Sequence, residues 1–397
     1  MNIFNIIRCR FVHLTFKILL PFLPYKNPIV YEDIINIKDV LNTNNASKVL
    51  IVTGPHIYQS GLVNILLDEL NKNKIDYVVF KDTCSNPLIS VVDKATLFYK
   101  NNNCDSIIAF GGGSPLDVAK LVGAKVATNK EIIKLKGVLK VRHKIPLLIA
   151  IPTTAGSGSE VTLAAVITDD KTHLKFAVND FNLIPKYVFL LNKTTSSLPK
   201  KTIATCGMDA LTHALESYLN IGGDKQSKKD ALEASKLIFS NLENCYLNND
   251  DISRINMLKA SFLAGRSFSK GYVGYVHALA HGFGGIYNYS HGELNAIILP
   301  YVLEYYGKSI YKKIYKIGLY CSLCSKEDSY KDGYFKVLNK IKQMNEEFNI
   351  PSKIENVKYE DIEIIAKRAS KEANPLYPCP KLMSKRELSK FIKEKLV

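Results

Sequence analysis

SIIAFGGGSPLDVAK, residues 106–120, determines the class of fold. Its first five residues form a short apolar run typical of a buried strand, and residues 115–128 have the 3.6-residue periodicity of a helix. Three consecutive glycines join the two elements and let the backbone approach a phosphate group closely. Pro115 suits the first helical turn, where free amides face an anion. We therefore predict a strand–turn–helix unit that binds phosphate at the turn.

The same alternation continues on both sides of this segment. Apolar runs predict strands, and the periodic stretches between them predict helices. The predicted strands are residues 48–53, 76–80, 106–110 and 146–151, and the predicted helices are residues 60–73, 87–99 and 115–128. Strands that alternate with helices are typical of a parallel sheet built from βαβ units. Residues 163–168 and 174–178 flank a turn at 169–173 and predict a hairpin appended to that sheet.

After Pro199 the strand pattern stops, and nearly every window to the C-terminus has helical periodicity. We predict three regions: an N-terminal helix and lead-in at 1–47, a dinucleotide-binding α/β domain at 48–195, and an all-helical metal-binding domain at 196–397. A cleft between two such domains is a favoured place for a ligand site.

Composition excludes several classes of protein. The chain has 397 residues and a net charge of +16, but its lysines are spread among many acidic residues. Since no helix-turn-helix, zinc-finger or RRM signature accompanies them, we expect no nucleic-acid partner. The eight cysteines are dispersed and follow no secretory leader, which favours reduced thiols in a cytoplasm. Cys321 and Cys324 form one CxxC, without a second pair at zinc-ribbon spacing.

The first 24 residues place apolar side chains on one helical face, at Ile3, Ile7, Phe11, Leu14 and Ile18. Interrupting charges argue against a transmembrane span, and two prolines argue against a signal peptide. We predict a helix packed on the protein or on a partner subunit, with a membrane surface as the alternative and no stable membrane insertion.

Two further segments carry candidate ligand-binding groups. IPTTAGSGSE, residues 151–160, follows a predicted strand and offers small residues and hydroxyls that suit the other wall of a pyrophosphate site. Asp209 and His213 are four apart on one predicted helix, so they share a face. His277 and His281 repeat that spacing, and His291 follows. A carboxylate with several imidazoles suits a borderline divalent ion such as Fe²⁺ or Zn²⁺.

Together these segments resemble the iron-containing (group III) alcohol dehydrogenase family. The resemblance rests on GGGSPLDVAK (111–120), IPTTAGSGSEVT (151–162), GMDALTHALESYL (207–219), VHALAHGFGG (276–285), SHGELNAIILPYV (290–302) and ANPLYP (373–378). It covers about residues 48–397. It implies a Rossmann-like α/β domain with a parallel sheet followed by an all-α domain, the architecture shared with dehydroquinate synthase, with the active site between the two domains.

The resemblance also implies the roles of individual residues. The implied metal ligands are Asp209, His213, His277 and His291, with Fe²⁺ expected and Zn²⁺ as the alternative. His281 is expected beside the substrate and the nicotinamide, where it passes a proton to solvent. The implied cofactor contacts are Gly54, Gly112, Gly113, Ser114, Asp117, Thr153, Thr154 and Lys175.

The expected activity is hydride transfer between NAD(P)(H) and a small alcohol or aldehyde, with the metal polarising the substrate oxygen. Gly54 stands where many NAD-preferring relatives carry an acidic residue. Without that carboxylate a 2′-phosphate is not repelled, so we expect NADP(H) or NAD(H) as the cofactor.

We also expect a homo-oligomer, a dimer. The alternatives are a glycerol phosphate dehydrogenase or a sugar-phosphate cyclase of the same fold, and a non-catalytic metal-binding structural protein. The aspartate–histidine pair at 209 and 213 favours the alcohol dehydrogenase.

Overall fold

The computed structural model describes residues 1–172, 175–287 and 289–397, and the chain divides into two compact units. One unit is Pro24–Leu198, and the other combines Met1–Leu23 with Pro199–Val397. The predicted lead-in at 1–47 is therefore divided between the units, since helix α1 (Ile3–Leu19) belongs with the C-terminal helices.

The first unit, called here the α/β unit, contains a six-stranded sheet. Its strands are β1 (Ile29–Tyr31), β2 (Lys48–Val52), β3 (Asp76–Phe80), β4 (Ser106–Gly111), β6 (Leu147–Pro152) and β9 (Tyr187–Phe189). They lie in the order β1-β9-β6-β4-β2-β3, and each pair is parallel. The predicted parallel sheet is thus confirmed, and all four predicted strands belong to it.

Helices connect these strands. They are α2 (Ile37–Thr43), α3 (Pro55–Gln59), α4 (Asn64–Lys72), α5 (Ile89–Asn101), α6 (Gly113–Thr128) and α7 (Ile132–Leu135). The helix predicted at 60–73 begins only at Asn64, because Gly61 adopts a positive φ of 75° that a continuous helix cannot contain. Leu66 and Leu70 of α4 pack with Val49, Ile108 and other sheet residues in one buried core.

A smaller three-stranded sheet lies in the same unit. It consists of β5 (Gly137–Val138), β7 (Ala164–Thr168) and β8 (Lys175–Asn179), in the order β5-β8-β7. Strands β7 and β8 are antiparallel and form the predicted hairpin, but they belong to this separate sheet rather than to the six-stranded one. Two residues of its predicted turn and second strand, His173 and Leu174, lie outside the described residues.

The second unit, called here the helical unit, contains no strand among its described residues. Besides α1 it consists of α8 (Lys200–Leu219), α9 (Lys225–Asn248), α10 (Asp251–Gly271), α11 (Tyr275–Gly284), α12 (His291–Tyr306), α13 (Tyr311–Tyr320), α14 (Tyr330–Glu347), α15 (Tyr359–Ala373) and α16 (Lys385–Phe391). Helix α8 is buried along most of its length and packs against α9, α10 and α12. The predicted all-helical region is confirmed.

Short 3₁₀ turns and one π-helical turn complete the secondary structure. The 3₁₀ turns are Leu20–Phe22, Ile34–Asn36, Phe181–Leu183, Asn192–Thr195 and Gly307–Ser309, and the π-helical turn is Ile392–Leu396.

Lys120 connects the helix of the glycine turn to the smaller sheet. Its side chain is fully buried in α6, and Nζ donates to the carbonyl oxygens of Thr162 and Ala164 at 2.9 and 2.8 Å. A third hydrogen bond reaches Thr162 Oγ1 at 3.1 Å. Burial lowers the pKa of Lys120 to about 8, and the nearby carboxylates of Asp117 and Glu160 act in the opposite direction. The ammonium group therefore satisfies carbonyls that water does not reach.

We expect Lys120→Met to lower the free energy of unfolding by about 2 kcal/mol, because it removes the three hydrogen bonds that the buried ammonium group donates. Denaturant unfolding measures the change. Lys125→Met on the same helix is the matched control: Lys125 forms a partly exposed ion pair with Asp93, and loss of such a pair costs less than about 1 kcal/mol. Equal losses in the two variants would show that the buried hydrogen bonds of Lys120 do not stabilise the fold.

Candidate functional site

Helix α8 carries two of the predicted metal ligands in its middle. Asp209 and His213 are 5% and 4% exposed. Their spacing of four residues places both on one face of the helix, and Asp209 Oδ1 lies 4.0 Å from His213 Nδ1. A carboxylate and an imidazole therefore share one buried surface of the helical unit.

Helices α11 and α12 bring the other two predicted ligands to the same carboxylate. His277 Nε2 lies 3.7 Å from Asp209 Oδ1, and His291 Nε2 lies 3.8 Å from that atom. One ligand atom each of Asp209, His213 and His277 fall within 4.8 Å of one another. The structure thus brings the four predicted ligands together at one place.

The donor set fits a divalent ion. Ligand atoms around a four-coordinate ion at about 2.0–2.1 Å lie roughly 3.4 Å apart. The distances of 3.7–4.0 Å from Asp209 Oδ1 to the three imidazole nitrogens exceed this only slightly. Ligand atoms of Asp209, His213 and His277 also lie close to one another, whereas His291 approaches this group through Asp209. Imidazole and carboxylate groups suit Fe²⁺ or Zn²⁺.

Glycine allows α8 and α12 to approach closely enough for this arrangement. A Cβ atom on Gly292, the residue after His291, would lie 2.3 Å from the backbone oxygen of Thr205 on α8. Only a residue without a side chain fits there, because the contact is with backbone and cannot be relieved by a rotamer change.

Glu216 orients the ring of His277 through its Nδ1 atom. Its carboxylate accepts hydrogen bonds from His277 Nδ1 at 2.7 Å and from the backbone amides of Gly274 and Val276 at 2.7 and 2.8 Å. Burial raises the pKa of Glu216 to about 8, whereas the three N–H donors favour its ionised form. The hydrogen bond fixes the proton of His277 on Nδ1 and leaves the Nε2 lone pair directed at Asp209.

The protonation state of His277 agrees with this arrangement. Burial, and then the neighbouring rings of His213 and His291, hold the pKa of His277 well below its ordinary value. A neutral imidazole is the form that binds metal ions.

Asn295 lies among the ligand atoms. Its Nδ2 is 2.6 Å from Asp209 Oδ1 and 3.1 and 3.2 Å from the Nε2 atoms of His277 and His291. It stands one helical turn after His291, and Glu216 stands one turn after His213. Sequence reasoning missed both residues, although the helical spacing of polar residues beyond the ligands was the signal that could have found them.

His281 occupies a different position from the four ligands. Its ring lies nearly parallel to that of His291, with centroids 5.0 Å apart, and its Nδ1 is 2.7 Å from Glu372 Oε1. Tyr377 donates to the same carboxylate oxygen at 2.8 Å. Burial opposes ionisation of Glu372, but His281 and these hydrogen bonds hold its pKa below the ordinary value. Glu372 was not anticipated from the sequence.

The candidate cofactor residues follow adjacent strands of the α/β unit. Strand β3 lies on one side of β2 and β4 on the other, so the chain reverses its direction of winding between β2 and β4. Ligands of open parallel sheets bind at the carboxyl ends of the strands at such a point. Gly54 follows β2, the glycine turn follows β4, and Thr153 and Thr154 follow β6.

The glycines of the turn pack tightly against neighbouring side chains. A Cβ atom on Gly112 would lie 3.1 Å from Thr154 Oγ1, and one on Gly113 would lie 3.2 Å from Ser157 Oγ. Gly112 is the N-cap of α6, and no described side chain caps that helix end. The amides of Gly113 and Ser114 are therefore positioned to donate to an anion.

The other predicted cofactor residues, Asp117, Thr153 and Lys175, differ in their hydrogen bonds and position. Both carboxylate oxygens of Asp117 accept hydrogen bonds, from Ser159 Oγ at 2.6 Å and from Val166 N at 3.0 Å, so Asp117 ties α6 to the hairpin. Thr153 is buried, and its amide donates to Gly111 O at 3.0 Å. Lys175 begins β8.

Glu216→Gln should weaken metal binding about 10- to 100-fold, because an NH₂ group replaces one of two acceptor oxygens and loosens the orientation of His277. Competition with a chromogenic chelator for Zn²⁺ measures the affinity. Glu243→Gln, which removes a surface partner of Lys340, is the control and should leave the affinity unchanged. Wild-type affinity in Glu216→Gln would exclude a positioning role for this carboxylate.

Two protein-family models match this chain along most of its length. The family model "Iron-containing alcohol dehydrogenase" matches residues 29–191, and "Fe-containing alcohol dehydrogenase family, C-terminal" matches residues 202–396. The NAD-dependent methanol dehydrogenase of Bacillus methanolicus is 30% identical over 357 residues, which are 88% of this chain and 93% of that protein. An alcohol dehydrogenase structure from Oenococcus oeni superposes with a TM-score of 0.89 at 32% identity, covering 94% of this chain and 100% of that one.

A longer relative matches only in part. The aldehyde-alcohol dehydrogenase of Streptococcus pneumoniae serotype 4 is 36% identical over 276 residues, which are 66% of this chain. The matched region spans 31% of the length of that relative. The two family models nevertheless cover most of this chain. The protein therefore belongs to the iron-containing alcohol dehydrogenase family, as its sequence predicts.

Proposed function

We propose that the protein is a metal-dependent oxidoreductase that transfers a hydride between NAD(P)(H) and a small alcohol or aldehyde. The observation that carries the proposal is the convergence of three imidazole nitrogens within 3.7–4.0 Å of Asp209 Oδ1. Two proteins that align with most of the chain are a methanol dehydrogenase and an alcohol dehydrogenase by name, which supports the same class of enzyme.

The four ligand side chains would hold the ion. Asp209, His213, His277 and His291 supply one carboxylate oxygen and three neutral imidazoles, which leaves the ion with a positive charge. A divalent ion held there supplies Lewis acidity, which stabilises negative charge on the substrate oxygen. Fe²⁺ is the ion we expect from the family, and Zn²⁺ suits the same donors.

We infer that His281 moves the proton that an alcohol loses on oxidation. Since Glu372 accepts from Nδ1, the Nε2 atom of His281 is left as the proton acceptor. The ionised Glu372 stabilises the imidazolium that forms when Nε2 takes the proton. His281 is half-buried, and its partial exposure allows the proton to pass onward to solvent.

The α/β unit would hold the cofactor. The amides of Gly113 and Ser114 would donate to the pyrophosphate at the start of α6. The side chains of Thr154 and Ser157 pack against Gly112 and Gly113 and so support the backbone of the turn. The hydride chemistry belongs to the nicotinamide itself, and the protein contributes binding and orientation.

The function is tested by loading the purified protein with Fe²⁺ or Zn²⁺ and following the absorbance of NADH and NADPH with a panel of small aldehydes. Wild type should oxidise the reduced cofactor. His277→Ala should lower both metal content and turnover by at least about a hundredfold, because it removes a ligand. His143→Ala, on an exposed loop, is the control and should retain both.

Two results would reject this function. One is a metal-loaded wild type that oxidises neither cofactor with any aldehyde in the panel. The other is redox-neutral conversion of a sugar phosphate, which would support the cyclase instead.

We also propose that NADPH is used at least as well as NADH. Gly54 follows β2, where an acidic side chain would repel a 2′-phosphate, and glycine carries no such charge. Lys81 follows the adjacent strand β3, whose Phe80 pairs with Val52 of β2, so an ammonium group lies at the same edge of the sheet. The methanol dehydrogenase of Bacillus methanolicus is NAD-dependent by name, and that name says nothing of the cofactor preference of this chain.

Gly54→Asp should shift the preference toward NADH by about 5- to 150-fold, since a charge clash near a partly exposed phosphate is worth roughly 1–3 kcal/mol. Gly54→Ala is the necessary control, because any Cβ at this position would lie 3.0 Å from Thr83 O and disturb the strand end. The ratio of kcat/KM for the two cofactors is the measurement. A strong preference of wild type for NADH, or equal ratios in the two variants, would refute the assignment.

A further inference from the structure

Helix α1 presents a continuous row of apolar side chains to solvent. The row consists of Ile3, Phe4, Ile7, Phe11, Leu14 and Ile18, called here the apolar stripe, and each of these side chains is at least 55% exposed. Their spacing of three and four residues places them on one face of the helix. Phe22, in the 3₁₀ turn that follows, extends the exposed surface. Contiguous exposed apolar surface of this kind marks an interaction site.

The opposite face of α1 is fixed to the helical unit. Cys9 and His13 are buried, and the ring of Phe16 lies 6.1 Å from that of Tyr272. The Arg10 guanidinium donates to the carbonyl oxygens of Cys379 and Pro380 at 2.8 and 2.9 Å. Because these contacts set the rotation of the helix, the apolar stripe cannot turn inward onto its own unit.

The charged side chains of α1 itself are all positive. At 100° per residue, Arg8 lies on one side of the stripe and Lys17 on the other, and both are exposed. The first 31 residues contain no Asp or Glu. Two copies of α1 packed face to face would therefore place cations against cations, with no carboxylate on either helix to compensate. An anionic partner suits this surface better than a second copy does.

We propose that α1 binds the surface of an anionic phospholipid membrane. The helix lies in the plane of the interface, with the apolar stripe at the boundary between headgroups and acyl chains. Arg8 and Lys17 extend sideways to lipid phosphates, as long basic side chains do at such a boundary. No described helix is long and apolar enough to cross a membrane. The protein would thus be held at the membrane surface by α1, independently of its proposed catalytic function.

The test is cosedimentation of the full-length protein with vesicles of phosphatidylcholine alone or mixed with phosphatidylserine. We expect binding to the mixed vesicles, with little binding to neutral ones. Phe4→Glu/Phe11→Glu should weaken vesicle binding at least about a hundredfold, since it removes two large apolar groups and adds negative charge. Ile252→Glu is the matched control, because Ile252 is 72% exposed on α10, away from α1 in sequence, and it should bind as wild type does.

Charge and folding are tested separately. Arg8→Gln and Lys17→Gln should each weaken binding to the mixed vesicles roughly fivefold, and added salt should weaken wild type similarly. Thermal melting and oxidation of the reduced cofactor should be unchanged in all these variants, since none touches the metal ligands or the glycine turn.

Three results would overturn the proposal: no binding to any vesicle, equal binding to neutral and anionic vesicles, or unchanged binding in Phe4→Glu/Phe11→Glu. A change of oligomeric state in that variant, without vesicle binding by wild type, would instead assign the stripe to contacts between copies of the chain.

Discussion

Burial of three candidate metal ligands, Asp209, His213 and His277, is the constraint on which the helical unit depends. A carboxylate and imidazoles in a water-poor interior cost free energy unless each polar atom has a partner. Asp209 accepts from Asn295, and His277 donates to Glu216, which in turn accepts two backbone amides at the start of α11. The hydrogen bonds that offset burial thus also set the orientation of the ligands.

Hydrogen bonds from side chains also hold the backbone around these residues. Asn220, just after α8, donates to the carbonyl oxygens of residues 271–273, which lead into α11. Lys228 donates to three carbonyls at the C-terminal end of α8. These bonds satisfy groups that a helix end leaves free. The bonds of Asn220 also tie the end of α8, which carries Asp209 and His213, to the segment that leads into α11, which carries His277.

The sequence predicted the class of fold and the main elements because its signals were local. The four central strands were apolar runs, and the metal candidates lay at helical spacing. Strands β1 and β9 were not predicted, because three residues give no readable alternation and their pairing is with each other across more than 150 residues of chain. Glu216 and Asn295 could have been found by following the helical spacing beyond the predicted ligands. Glu372 lies 91 residues from His281 in the chain and is recognised only when folding brings the two together.

The two units show why one kind of site is easier to predict than the other. An anion can be bound by backbone amides at the start of α6, and backbone exposure requires glycine, so the site leaves a compact motif in the sequence. A cation requires side-chain donors, and these come from three helices between residues 209 and 291. Their support comes from further positions, reaching Glu372 in the case of His281. The side chains that support such a site are therefore spread along the sequence, and only folding brings them together.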